Sequence, residues 1–283
     1  MFDSQQKKIK TNILAYNILL LACLFNSGFA ASSEKTLKIG IVPQFEQRQL
    51  FRNWKPLIDE LEVLTGFKFE MVGSAKIPIF EKQFNQGIYD LAYMNPYHVL
   101  KANASQGYIP LIRDSEKLNG ILVVNKNSNI NSIKQLSNET IAFPSPNALG
   151  ASMMIRSILT ETFQLKFASK YVQTHSSVFL HVAKNLVSAG GGVNKTFNGI
   201  PSVLKDTLKV IYTSQDIVSH PLVIHPRVPL AKRKNIERAL HELFNSKKGK
   251  QLYKRIPMSN VVKATMKDYK SLEKLKLEKY FVK

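Results

Sequence analysis

The sequence predicts an α/β protein of two lobes, and three observations predict it. From Leu37 onward short apolar runs alternate with helix-period segments, as they do where strands are joined by crossover helices. The alternation starts afresh near Gly120, after a first set of strands. At 283 residues and 44% apolar content, the chain is long enough for two compact cores or one large one, and too apolar for disorder.

The first thirty residues read differently from the rest. Lys7, Lys8 and Lys10 precede an apolar stretch from Ile13 to Phe25; small residues through Ala30 and Ala31 follow, and then polar ones. These are the three parts of a secretory signal, and the apolar stretch falls short of the roughly 20 residues a membrane-spanning helix needs. The expectation is a signal peptide over 1–31, cleaved near Ala30 or Ala31, with an uncleaved anchor as the other reading. Cys23, the one cysteine, lies inside it, and Leu20-Leu21-Ala22-Cys23 also fits a bacterial lipobox loosely, which would make Cys23 a lipidated N-terminus. With cleavage near Ala30 the exported chain has no thiol, which excludes disulfides, thiol catalysis and thiolate metal ligation.

Leu37 to Val42 reads as the first strand. Residues 48–65 then carry apolar side chains at helical spacing, Trp54 among them, until Gly66 stops the pattern, so Trp54 is expected in the core. A strand at 67–72, a helix at 77–86, a strand at 89–94, a helix at 97–104 and a strand at 108–112 complete the first set. The second set runs through a strand at 120–124, a short helix at 131–136, a strand at 140–143, a helix from Met153 to Phe163, a strand at 169–173, a helix at 177–186 and the glycine-rich 189–193. Strands at 208–212 and 222–224 mark the return to the first lobe, which Lys-rich helices at 229–246, 247–255 and 267–281 are expected to wrap. The expected division is lobe one over 36–119 plus 215–283 and lobe two over 120–214. No solenoid period or second hydrophobic span interrupts it.

Forty basic residues against twenty acidic ones give a net charge of +20. Nucleic acid is the first partner such a charge suggests. The basic residues stand in short groups such as Lys232-Arg233-Lys234, however, with no aromatic interleaving and no zinc-finger or RNA-recognition pattern, so they read as solvated faces and no nucleic-acid partner is expected. A positive field still favours the arrival of an anionic ligand.

In an open α/β sheet, ligands bind beyond the carboxyl ends of the strands. Four loops qualify: one around Gln44, one at Asn95-Pro96-Tyr97-His98, the stretch from Ser145 to Ser152, and Thr174-His175-Ser176-Ser177. In the third, Pro144 and Pro146 end the extended chain, Asn147 is placed to cap a helix, and Gly150 between small neighbours lets backbone N–H groups approach a ligand. Unpaired amides and a helix dipole together favour phosphate-like groups, and an ordinary Asn-capped helix is the alternative. No His-Glu-x-x-His, Gly-x-Ser-x-Gly or Walker A pattern occurs. The six histidines show no metal-ligand pairing, and His220 and His225 read as satisfied or exposed residues of a strand-like segment. Neither enzyme, cofactor nor metal is expected. A ferric site at Tyr93, Tyr97 and His98 would want a carboxylate, and these loops hold none beyond Glu46.

The opening strand with Pro43, Pro56 and Leu61 followed by Thr65-Gly66, Tyr89-Asp90-Leu91-Ala92-Tyr93, Phe143 to Ser152, Ala189 to Val193, and Ser219-His220-Pro221 occur in an order that resembles the periplasmic phosphate-, phosphite- and phosphonate-binding proteins of ABC transporters. The resemblance covers about 36–255. It implies a Venus-flytrap architecture of type II, two α/β lobes joined by two strands that close over a solute, and a membrane permease and ATPase as partners of a monomeric periplasmic protein. The resemblance matches Tyr93 to a family ligand, and with the four loops it gives an expected ligand set of Gln44, Tyr93, Asn95, Asn147, Ala148, Leu149, Gly150, Ser152, His175 and Ser176. The sequence departs from the family where Ser/Thr hydroxyls are usual, at Ala148, Leu149 and Gly150, and it carries Asn194 and Lys195 where binders of aminoalkylphosphonates place carboxylates. A ligand sensor of the same fold, binding another solute, is the alternative reading.

Overall fold

The computed structural model describes residues 35–282. The signal-peptide and Cys23 expectations fall on residues outside that range.

From Thr36 on, two mixed sheets form. β1 (Leu37–Ile41), α1 (Gln47–Thr65), β2 (Phe69–Val72), α2 (Ile77–Asn85), β3 (Leu91–Tyr93), α3 (Pro96–Gln106) and β4 (Ile109–Asp114) come first. The chain then enters a second set with β5 (Gly120–Asn125), a 3-10 turn at Ile133–Leu136, β6 (Thr140–Phe143), a helix α4 over 149–162, β7 (Ala168–Tyr171), α5 (His175–Ala183) and β8 (Ala189–Val193). Two short helices, α6 (Asn194–Asn198) and α7 (Ser202–Lys205), lead to β9 (Leu208–Thr213), after which β10 (Pro221–Ile224), α8 (Leu230–Asn245), α9 (Lys247–Tyr253), β11 (Val261–Lys263) and α10 (Met266–Lys270) return to the first set.

The first sheet has the order β11-β4-β10-β3-β1-β2 and the second β7-β6-β8-β5-β9. β1 pairs in parallel with β2 and β3, whereas β10 lies antiparallel between β3 and β4. Two crossings link the sheets side by side: Leu118 and Ile217 exchange backbone hydrogen bonds of 3.0 and 2.9 Å, a bridge between the outgoing and returning chain.

α1 forms because Leu50, Trp54, Leu57, Ile58 and Leu61 recur on one buried face, and Gly66 ends it at φ +74°, donating its N–H to Glu62. Trp54 is core, 3% exposed. Phe51, read from the same stripe, is instead 52% exposed.

In the second set the glycines of β8 decide the packing. A Cβ on Gly191 would lie 2.0 Å from the carbonyl oxygen of Ala151, and one on Gly120 would lie 2.3 Å from that of Gly150. Only bare backbone at both positions lets the first turn of α4 sit directly on the sheet. The structure thereby gives the glycine-rich stretch a packing role.

Candidate functional site

α4 starts four residues earlier than the expected Met153. Its first turns mix hydrogen-bond patterns: the carbonyl of Ala148 accepts from Ser152 N–H (2.8 Å) and Met153 N–H (3.1 Å). Ala148 holds the cap position with no side-chain cap bond. Asn147, expected to cap, has its side chain occupied elsewhere: its Nδ2 donates to Glu81 Oε2 (3.1 Å) and the Val282 carbonyl (2.8 Å), and its Oδ1 accepts from Val282 N–H (2.8 Å). The start of a helix has N–H groups without intrahelical acceptors. Here that start, residues 148–151, forms one wall of a narrow cavity of about 10 Å3 between the two sheets.

The opposite wall comes from the first set. Gln44 follows β1, Asn95 caps α3, His220 precedes β10, and Val42 and Ile77 fill the space between them. His175 at the start of α5 and Val193 at the end of β8 complete the second wall. At about 10 Å3 the cavity is far below the roughly 300–1,000 Å3 of a drug-sized site, which restricts it to a very small solute.

Several bonds join the walls. His175 N–H donates to the Gln44 carbonyl (3.0 Å), and Asn95 Nδ2 donates to the Asn147 carbonyl (3.3 Å). Thr174 Oγ1 reaches Glu46 Oε1 at 3.5 Å, and the Lys195 ammonium pairs with Asp114. Burial pushes the Asp114 carboxyl up, but Lys195 and the N–H groups of Ser259 and Glu116 outweigh it and hold it below the usual carboxylate range. The two lobes are in contact, the closed arrangement of a hinged pair.

Six of the ten residues expected to bind a ligand meet at this cavity: Gln44, Asn95, Ala148, Leu149, Gly150 and His175. Four do not line it. Tyr93 is 2% exposed, its hydroxyl donates to the Pro257 carbonyl (3.3 Å), and its ring packs between Trp54 and His220. Asn147 points toward Glu81 and the C-terminal segment, and Ser152 accepts from Arg156 Nε at 3.1 Å on the far side of its turn. Ser176 lies one residue past the wall, half-buried. His220, read from sequence as a satisfied or exposed histidine, is the residue that reasoning missed. It is 6% exposed and lines the cavity, 3.4 Å from the Gln44 amide. Its position before Pro221, on the strand that returns between β3 and β4, is the signal that could have found it.

Thr196 Oγ1 lies 3.0 Å from His175 Nδ1 and 3.0 Å from the Val193 carbonyl oxygen, within hydrogen-bond reach of both. Burial lowers the histidine's pKa to about 3, keeping the ring neutral. His220 is likewise held well below the ordinary histidine range by burial, reinforced by His175, Lys195 and His98. Among the described residues no group of three or more histidine, cysteine or carboxylate side chains is arranged to hold a metal ion.

Two mixed sheets joined by paired crossings, with a small cavity where they meet, define the type II periplasmic solute-binding fold. The family described as ABC transporter, phosphonate, periplasmic substrate-binding protein matches residues 39–269, and the chain belongs to it. Among solved structures, PhnD1 from Prochlorococcus marinus in complex with methylphosphonate superposes with a TM-score of 0.78 at 18% identity, covering 86% of this chain and 97% of that one. A binding-protein component of an ABC phosphonate transporter from Pseudomonas aeruginosa gives 0.79 at 14% identity, covering 86% of each chain. A Xanthomonas citri protein bound to ATP gives 0.68 at 14% identity, covering 87% of this chain and 98% of that one. At such identities the superpositions establish the shared fold. Family membership implies a small solute as ligand and a permease and ATPase as partners. No helix among the described residues is long and apolar enough to cross a membrane.

Proposed function

We propose that this chain captures a small phosphorus oxyanion, a phosphonate, phosphite or phosphate, outside the cytoplasm and delivers it as a monomer to an ABC importer. The observation that carries the reading is the cavity between the sheets, walled on one side by the start of α4 and on the other by Gln44, Asn95 and His220. Helix-start N–H groups suit an oxyanion, and the neutral side chains opposite supply orienting contacts. The small volume favours a headgroup with at most a short substituent. An extended aminoalkyl chain lacks a carboxylate partner in the wall, since Asp114 is already paired with Lys195.

In this reading lobe one is 36–119 plus 215–283, lobe two is 120–214, and the paired crossings at Leu118 and Ile217 are the hinge. Ligand bridges the walls and shifts the population toward the closed form, because it touches both walls only there. Six of the expected residues, Gln44, Asn95, Ala148, Leu149, Gly150 and His175, together with His220, are assigned as contacts. Tyr93, Asn147 and Ser152 are assigned supporting roles behind the wall.

A thermal-shift series with methylphosphonate, phosphite, phosphate, aminoethylphosphonate and sulfate, followed by calorimetry on each hit, tests the assignment. A saturable rise in Tm with at least one phosphorus oxyanion is expected from binding to the folded state alone. No shift with any of them would overturn it.

A further inference from the structure

Residues 278–282 bridge the two lobes independently of the paired crossings. On the first-lobe side, α10 packs on α3, and the 3-10 turn that follows buries Leu272 and Leu277. Phe281 lies against Tyr97, ring centroids 5.7 Å apart, with the Lys101 ammonium 4.8 Å from its ring centre, and the Tyr97 hydroxyl donates to Glu278 at 3.5 Å.

The second lobe holds the same residues mainly by their backbone. Arg156 on α4 donates from one nitrogen to the carbonyls of Tyr280 and Pro146, each at 2.6 Å. The Asn147 side chain donates to the Val282 carbonyl and accepts from the Val282 N–H, both at 2.8 Å. Tyr280 Oη donates to Glu161 at 2.7 Å, Lys279 pairs with the same carboxylate at 3.0 Å, and the Tyr280 ring stacks near the Arg156 guanidinium. Asn147 adjoins Ala148, so the segment is fastened beside the α4 wall of the cavity.

Opening by rotation about Leu118 and Ile217 carries α4 away from α3, and a segment fastened to both cannot follow both. Its first-lobe anchor is apolar and buried. Its second-lobe anchor is a set of hydrogen bonds that water can replace, so that set yields first.

We propose that residues 278–282 form a latch that holds the cleft shut and slows release of the solute. The proposal rests on the hinged reading of the two lobes and not on which solute they enclose. Release requires opening, and opening requires the latch to part from α4, so every bond in that set retards escape.

The His175 N–H donates to the Gln44 carbonyl across the cleft, so its deuterium exchange in ligand-free protein, followed by NMR, reports opening. Tyr280→Ser strips side-chain contacts from the second-lobe anchor, and Phe281→Ala strips them from the first. Each should speed exchange at His175 about tenfold, the scale of one or two lost hydrogen bonds or contacts, while amides in β1 and α1 keep their protection. The double variant should exchange no faster than the faster single one, because a strap loose at one end bridges nothing, whereas independent contacts would add. Rapid-filtration release of radiolabelled methylphosphonate should quicken about tenfold in both single variants.

Lys279→Glu, at an exposed residue, gives a reading even where a ring deletion unfolds the chain. It sets two carboxylates against each other across the lobes and should speed exchange about twofold, and Glu161→Lys added to it should restore the wild-type rate. Unprotected His175 N–H in the wild type, unchanged exchange in all three single variants, equal loss of protection throughout β1 and α1, or strict additivity in the double variant would overturn the latch. Failure of methylphosphonate to bind would count against the proposed function alone, since the exchange measurements decide the latch without ligand.

Discussion

The first lobe presents side chains to the cavity, Gln44, Asn95 and His220, whereas the second presents mainly backbone, the start of α4 held against a glycine-bearing sheet. The difference teaches where each kind of damage will fall. A side-chain wall can be stripped residue by residue with little effect on the fold. A backbone wall is positioned by packing, so the residues that govern it lie behind it and never touch the ligand.

Gly191→Val should therefore produce the largest effect. The added side chain would overlap the Ala151 carbonyl and the Phe143 ring, lowering stability by about 2 kcal/mol and pushing the α4 start out of line. Urea unfolding and ligand titration should both register it; wild-type binding would show that the glycine does not position the wall. Asn95→Ala comes next. It loses the cap bond from His98 N–H (2.9 Å) and the cross-cleft bond to Asn147, a stability loss of about 1 kcal/mol together with weaker binding. Gln44→Ala should be the mildest for the fold, with Tm nearly unchanged and affinity reduced. Equal losses of stability in Gln44→Ala and Gly191→Val would erase the contrast between the walls.

Acid should act on the backbone wall through His175. Its pKa of about 3 in the folded protein lies below the ordinary 6.5, so the unfolded chain binds a proton that the folded one does not between those values. Its contribution to stability is complete above pH 6.5 and is lost progressively as pH falls toward 3. A Tm series from pH 7 to 4 should show the decline, and His175→Gln should make it shallower; an identical slope in the variant would rule the residue out as a source.

Much of the architecture was legible because it is written in local pattern. The apolar stripe of α1, its stop at Gly66 and the alternation of strands and helices all follow from near neighbours. What was not legible depends on contacts distant in sequence. Asn147 looks like a cap until Glu81 and Val282 occupy it, and His220 looks incidental until β10 threads between β3 and β4. The stretch 267–281, expected to be one helix, breaks after a 3-10 turn where Lys276 adopts φ +48°, allowing Leu275 and Leu277 to pack against the first-lobe core. β11, three residues long, is too short to display a period. The α4 wall of the cavity was marked in the sequence by its prolines and Gly150, but the two glycines that seat it, Gly120 and Gly191, reveal their purpose only when the helix is seen lying on them.

A crystal structure with methylphosphonate bound would test the account most directly. The phosphorus is expected between the two walls, with its oxygens at about 3 Å from N–H groups of residues 149–151. Ligand seated elsewhere, or at this cavity with no contact to the start of α4, would contradict it.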